Sequence, residues 1–227
     1  MKGCLGFLAF LVALAAAVTV GVNLAAPTLA AAAIRGAGLR AASLDVTVGT
    51  SSPFELLLGR ADRVDVEATQ VMLGGLTAGT LTASLAPVDL LAVSRADVRG
   101  TLTGAGVEGV PLGEATFAGP LNGAAFAATV PPDAVRTLLS ADAGVTAAEV
   151  SLDPPDAVSA SIGGRTVSGR LVVSPDGRQL SVMGGALPDA LVLVRLPASS
   201  PIRIRSATVG TDGIRVTGTL AIDIALP

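Results

Sequence analysis

The 227-residue chain contains no histidine, no tryptophan and no tyrosine, and its single cysteine is Cys4. These absences exclude a histidine-based catalytic triad, a His/Cys zinc site and a disulfide framework within one chain. Lysine is nearly missing too, with Lys2 alone. The body therefore offers neither a Ser-Lys dyad nor a histidine-activated serine. Five phenylalanines and a net charge of −3 leave little for stacking bases on an electropositive surface, so no nucleic-acid partner is expected. What remains is 51% hydrophobic and only 15% charged. That balance favours a binding or structural role over catalysis.

The first apolar feature is at the front. No charged residue occurs between Lys2 and Arg35, and Cys4 to Ala26 forms a run of 23 residues broken only by Gly6, Thr19, Gly21 and Asn23 among non-hydrophobic types. As a helix it would extend roughly 34 Å, enough for a hydrocarbon core of about 30 Å. Two readings stand for residues 1–30. A cleaved signal peptide is served by Thr28-Leu29-Ala30 as its small-residue end. An uncleaved transmembrane anchor fits the length better, because a signal core spans only about 7–15 residues. Cys4 precedes the apolar run, so it is not a lipobox cysteine. Residues 31–43 follow as an Ala-rich helical connector, with Leu29, Ala33 and Arg40 at helical spacing and Gly36 and Gly38 weakening it.

From Leu44 the period changes to two. Val64, Val66 and Ala68 alternate with Asp65, Glu67 and Thr69, and Leu81, Ala83 and Leu85 with Thr82 and Ser84. Further strands are expected at 95–103, 112–118, 124–130, 147–152, 157–162, 166–173 and 179–183. The Gly163-Gly164 turn aligns Ala160 with Val167 and Ser161 with Thr166. A three-residue Thr211-Asp212-Gly213 loop pairs Ile204 with Leu220 and Ile202 with Ile222. Leu191 to Leu196, between Pro188 and Pro197, reads as a strand buried on both sides. Pro131-Pro132-Asp133 starts one helix, with Ala134, Val135, Leu138 and Leu139 on a stripe through Ser140. The fold class is α+β, mainly β, an antiparallel meander forming one β-rich domain over 44–227.

No catalytic motif emerges. Any of the 18 acids is a candidate for a carboxylate pair, but Asp65 and Glu67 read as a solvated strand face. Thr103-Gly104-Ala105-Gly106 lacks the lysine and helix of a phosphate loop. Asp153 and Asp156 flank Pro154-Pro155; calcium ligation is one reading of the pair, and a rigid turn is the favoured one. No cofactor or metal is expected. An apolar sheet of this kind must bury its inner face against helices, another sheet or a ligand. An acyl chain is one such ligand, since each buried methylene is worth about 0.8 kcal/mol.

Several segments in order resemble the LmeA-like phospholipid-binding family of bacterial cell-envelope proteins. They are Pro53-Phe54-Glu55-Leu56-Leu57-Leu58-Gly59-Arg60 with Val64–Ala68, the strands Leu81–Pro87 and Val98–Leu102, and the helix within Val130–Leu139. The series closes with Leu196-Pro197, Ile202–Val209 and Asp212-Gly213-Ile214-Arg215-Val216-Thr217-Gly218. The resemblance implies a strongly curved antiparallel sheet, a clam or half-tube wrapped around few helices, with an apolar cavity. It also implies a place outside the cytoplasmic membrane, membrane-anchored or secreted, and phospholipid binding that supports envelope lipid or glycolipid maturation or transport. The family supplies no binding residue to transfer, so the site is argued from the residues. Phe54, Leu56, Leu57 and Leu58 are candidates for core, cavity mouth or membrane contact. Val135, Leu138 and Leu139 either line a cavity or cover the sheet. Arg203, Arg205 and Arg215 share one face of the last hairpin and suit a lipid phosphate. The expected partners are a phospholipid and the membrane; the alternative is a non-enzymatic scaffold with a closed core.

Overall fold

The period-two segments fold as antiparallel strands, and the protein is mainly β with few helices. The computed structural model describes residues 27–28, 30–32, 34–35, 39–73, 75–89, 96–107, 110–143, 147–162, 164–184, 190–198 and 200–221. The first half runs β1 (Ser43–Gly49), helix α1 (Pro53–Leu57), β2 (Arg60–Ala61), β3 (Arg63–Leu73), β4 (Leu76–Ala86) and β5 (Val88–Asp89). It continues through β6 (Asp97–Thr103), β7 (Gly106–Val107), β8 (Val110–Pro111), β9 (Ala115–Pro120) and β10 (Ala124–Val130). Helix α2 (Pro132–Ala143) leads to β11 (Ala147–Asp153), β12 (Ala157–Ile162), β13 (Arg165–Val173), β14 (Gln179–Met183) and β15 (Leu191–Arg195). The hairpin β16 (Ile202–Gly210) and β17 (Gly213–Leu220) closes the chain.

Two larger sheets result, where one continuous meander was expected. The large sheet runs β1-β3-β4-β6-β9-β10-β17-β16, with β7 and β8 appended to β4. The smaller is a five-stranded meander of β11 to β15. Helix α2 and the small sheet are thus an excursion between β10 and the hairpin that returns to pair with it. The helix lies against β11, β15 and β17, while β16 touches β11, β13 and β14. The two sheets and the helix enclose one core, which reaches from Ala31 to Leu220.

Cross-strand rows show why each face is what it is. Val46, Val66, Ala83, Gly100, Phe117, Phe126, Gly218 and Ile204 stand opposite one another across eight strands. Every side chain of that row is buried. The next row, Thr47, Asp65, Ser84, Arg99, Ala118, Ala125, Thr219 and Arg203, occupies the opposite face, as the pleat requires.

The alternation switches once inside β3 and β4. Val64, Val66 and Ala68 are buried before the switch and Val71 after it; on the partner strand Leu76 and Ala78 give way to Ala83. The switch falls at Gln70, whose φ of 50° is left-handed, between the pairs Thr69–Thr80 and Val71–Ala78. A residue beside Gly79 on the partner strand thus reverses which face is apolar.

Three expectations change. The last hairpin has a two-residue loop, with Gly210 opposite Gly213, and a bulge between Ile204 and Ser206. Ile202 therefore faces Leu220 and Ile204 faces Gly218, instead of Ile222 and Leu220. The bulge restores the apolar face that the shorter loop alone would have reversed, because the extra residue shifts the pairing by one. The helical connector is shorter than expected: described residues 27–28, 30–32 and 34–35 are helical, but Arg40 bridges to Met72 and β1 starts at Ser43. Backbone pairing with β3 outcompetes helix where Gly36 and Gly38 precede it in sequence. The strand expected at 112–118 spans Ala115–Pro120, with Leu112 hydrogen-bonded outside it. The apolar run of residues 1–26 lies outside the described residues, and among those described no helix is long and apolar enough to cross a membrane. By contrast the Gly163-Gly164 turn pairs Ala160 with Val167 and Ser161 with Thr166, as its length dictates. In β15, Leu193 and Val194 are both buried and Leu191 and Val192 half-buried, with Leu193 the extra residue where the pairing with β14 slips by one.

Candidate functional site

Helix α1 is a single tethered turn. Pro53 opens it with a preset φ, and extended Ser52 precedes it. Thr50 and Ser51 donate their hydroxyls to Glu55 Oε2 at 3.0 and 3.3 Å, and the Ser51 N–H donates to Asp62 Oδ2 at 2.5 Å. Gly59, at φ 72°, closes the turn with its N–H on the Leu56 carbonyl at 3.0 Å. These polar bonds fix the rotation of the turn, and that rotation decides which apolar residues are left outside. Leu56 packs against the core. Phe54 and Leu58, one helical turn apart, are 64% and 67% exposed. Leu57 belongs to the same turn, and its side chain lies outside the description.

Beside the turn lies a groove of about 390 Å³ walled by Glu55, Arg60, Asp62, Pro87 and Asp89. Arg60 Nε and Asp89 Oδ2 approach to 3.9 Å across β2 and β5. Apolar side chains and a charged recess are thus adjacent at this end of the molecule.

The stripe on α2 has a different fate. Val135 and Leu139 are fully buried and Leu138 is half-buried against the core. A void touching Leu139, Val158, Val167, Val182 and Leu191 measures only about 10 Å³. Such a space holds about one water molecule. The stripe therefore packs the helix onto the small sheet, and no acyl chain fits there.

The three arginines are not equivalent either. Arg203 is tied back, its Nη1 donating to the carbonyls of Ser200 and Ile202 at 2.8 and 2.9 Å. Arg205 is the extra residue at the bulge, and Arg215 lies opposite Thr208, farther toward the loop. Both are exposed and make no side-chain bond among the described residues. The face carries them spread along the hairpin and does not gather them on one phosphate.

A polar groove not anticipated from the sequence lies on the outer face of the large sheet. It is open to solvent and spans about 810 Å³ above β1, β3, β4 and β6. Arg63 Nε meets Asp65 Oδ1 at 2.7 Å, and the guanidinium holds that carboxyl below its ordinary value, with Arg99 adding its charge. Ser84 Oγ lies toward the same carboxylate without reaching hydrogen-bond geometry, and it is buried with no other partner. Asp65 and Glu67 were legible as one polar strand face. Their company with Arg99 was not, because it depends on the pairing of β3, β4 and β6. Among the described residues no three His, Cys, Asp or Glu side chains gather for a metal ion. In comparisons with known proteins the chain matches no family model, no curated protein and no solved structure.

Proposed function

We propose that this is a non-enzymatic phospholipid-binding protein of the bacterial cell envelope, held outside the cytoplasmic membrane and touching lipid through α1. The observation that carries the reading is the outward presentation of Phe54 and Leu58 on a turn that polar bonds hold in place. Burying each such side chain is worth about 1.5–3 kcal/mol. Two of them give a contact that a nearby membrane tether would reinforce through effective concentration. The apolar run at residues 4–26 is such a tether in sequence, and the ordered segments that resemble LmeA-like proteins point the same way.

On this reading the large sheet curves as a half-tube, and acyl chains lie along its inner rows away from α2. Headgroup contacts then fall to exposed cations, with Arg205 and Arg215 better placed than Arg203, whose guanidinium is already engaged. Envelope lipid or glycolipid maturation or transport is the process such a protein would serve.

One observation favours the scaffold reading: the space around Leu139 is filled. A decisive experiment uses residues 27–227, which contain the whole described core from Ala31 to Leu220. Purified from cells without detergent, this fragment should carry phospholipid at defined stoichiometry in native mass spectrometry. The double substitution Phe54→Ser and Leu58→Ser should weaken co-sedimentation with phospholipid vesicles at least tenfold and leave the thermal midpoint unchanged. A lipid-free protein that also ignores vesicles would exclude lipid binding and leave the scaffold.

A further inference from the structure

The outer groove of the large sheet has a composition of its own. Its charges are Arg63 and Arg99 against Asp65 and Glu67, so its net charge is zero. The hydroxyls of Thr47, Thr82, Ser84 and Thr101 stand among them. A carboxylate only accepts hydrogen bonds, a guanidinium only donates them, and a hydroxyl does both. Donors and acceptors are therefore interleaved over one surface at strand spacing. An anionic ligand would meet Asp65 and Glu67, and a cationic one Arg63 and Arg99. A neutral ligand whose every polar group both donates and accepts meets no like charge here.

We propose that this groove binds a saccharide, an uncharged polyhydroxylated chain laid across β3, β4 and β6. Vicinal hydroxyls are the groups that can bridge a carboxylate and a guanidinium at once. Arg99 and Glu67 make no hydrogen bond or ion pair among the described residues, while Ser84 Oγ beneath them is turned toward Asp65. A volume of about 810 Å³ lies within the usual range of ligand sites, about 300–1,000 Å³. Sheet faces serve this purpose in other architectures, the OB-fold among them. The lining has no exposed aromatic ring for stacking, since Phe117 is buried. Binding accordingly depends on the hydrogen-bonding groups, and a single substitution should be felt strongly.

The test uses the full chain in phosphatidylcholine nanodiscs and a panel of free trisaccharides of gluco, manno and galacto configuration. Binding is read by saturation-transfer NMR, with a neutral glycolipid in phosphatidylcholine vesicles as a second arm. At least one trisaccharide should receive saturation, and Asp65→Asn and Arg99→Gln should each weaken its binding tenfold or more. Arg165→Gln, exposed on β13 of the small sheet, should leave it unchanged. Weakening in both arms identifies the sugar itself as the ligand. Binding that appears only with the glycolipid, and is lost in the same variants, assigns the groove to a membrane-held headgroup. Circular dichroism at 218 nm establishes that each variant is folded. Absence of binding in both arms, or equal binding by the groove variants and wild type, overturns the proposal.

Discussion

The ring of Phe117 occupies the place where a side chain at Gly100 would stand. The two residues face each other across β6 and β9, and a Cβ added to Gly100 would lie 3.0 Å from Phe117 Cε1 and 2.6 Å from the Thr82 carbonyl oxygen. Glycine in a strand interior is weak by itself, and an aromatic ring over it recovers buried area. Phe117 in turn pairs with Phe126, so the middle of the sheet is held by two of the chain's five aromatic rings.

Gly100→Ala should destabilise the fold by about 1–3 kcal/mol, because the carbonyl of Thr82 is backbone and cannot step aside. Phe117→Ala should cost more, about 3–5 kcal/mol. Denaturant unfolding followed by far-ultraviolet circular dichroism measures both. With no tryptophan or tyrosine, intrinsic fluorescence would not serve.

Gln70 carries a left-handed φ of 50° at the point where β3 and β4 exchange their apolar faces. Gln70→Val should lose about 1–2 kcal/mol, since a β-branched residue tolerates that conformation poorly. Gln70→Gly should be neutral or slightly stabilising, as relief of the backbone offsets the greater freedom of the unfolded chain. A valine variant as stable as wild type would show that the switch of faces does not need this conformation.

Gly213 links the last hairpin to the strand before α2. Its φ is +134°, and a Cβ there would point into the Val130 carbonyl group and come within 3.1 Å of Pro131 Cα. Gly213→Ala should destabilise by about 2–3 kcal/mol through the combined conformational and steric cost. Hydrogen exchange should localise the weakening to the pairing of β10 with β17. Thr211→Ala, in the exposed loop beside it, should change stability by no more than about 0.5 kcal/mol.

Asp176 sits in the turn between β13 and β14. Its carboxyl accepts the Ser174 hydroxyl at 2.6 Å and the Arg178 N–H at 3.1 Å, and these bonds hold its pKa below the ordinary 3.8. A depressed carboxyl stabilises the fold above its unfolded value, and the gain disappears as pH falls through the folded one. Asp176→Asn should therefore lower the thermal midpoint at pH 6, and the two curves should converge only as pH falls below the ordinary carboxyl value of 3.8. A constant offset down to the lowest pH would assign the effect to something other than this ionisation.

The period of two, the Gly163-Gly164 register and the Pro132 helix start were determined by the sequence alone. Each depends on residues a few positions apart: alternation sets the strand face, loop length sets the first pairs, and proline favours the first helical turn. The exposed or buried fate of the apolar runs was not local. Phe54-Glu55-Leu56 and Val135 to Leu139 are equally apolar in character, yet polar bonds from Thr50, Ser51 and Asp62 turn Phe54 outward while the small sheet closes over Val135 and Leu139. The bulge at Arg205, the face switch at Gln70 and the meeting of Arg63, Asp65 and Arg99 were also decided by tertiary structure. In each case the deciding partner belongs to another strand, and only sheet pairing brings it within reach.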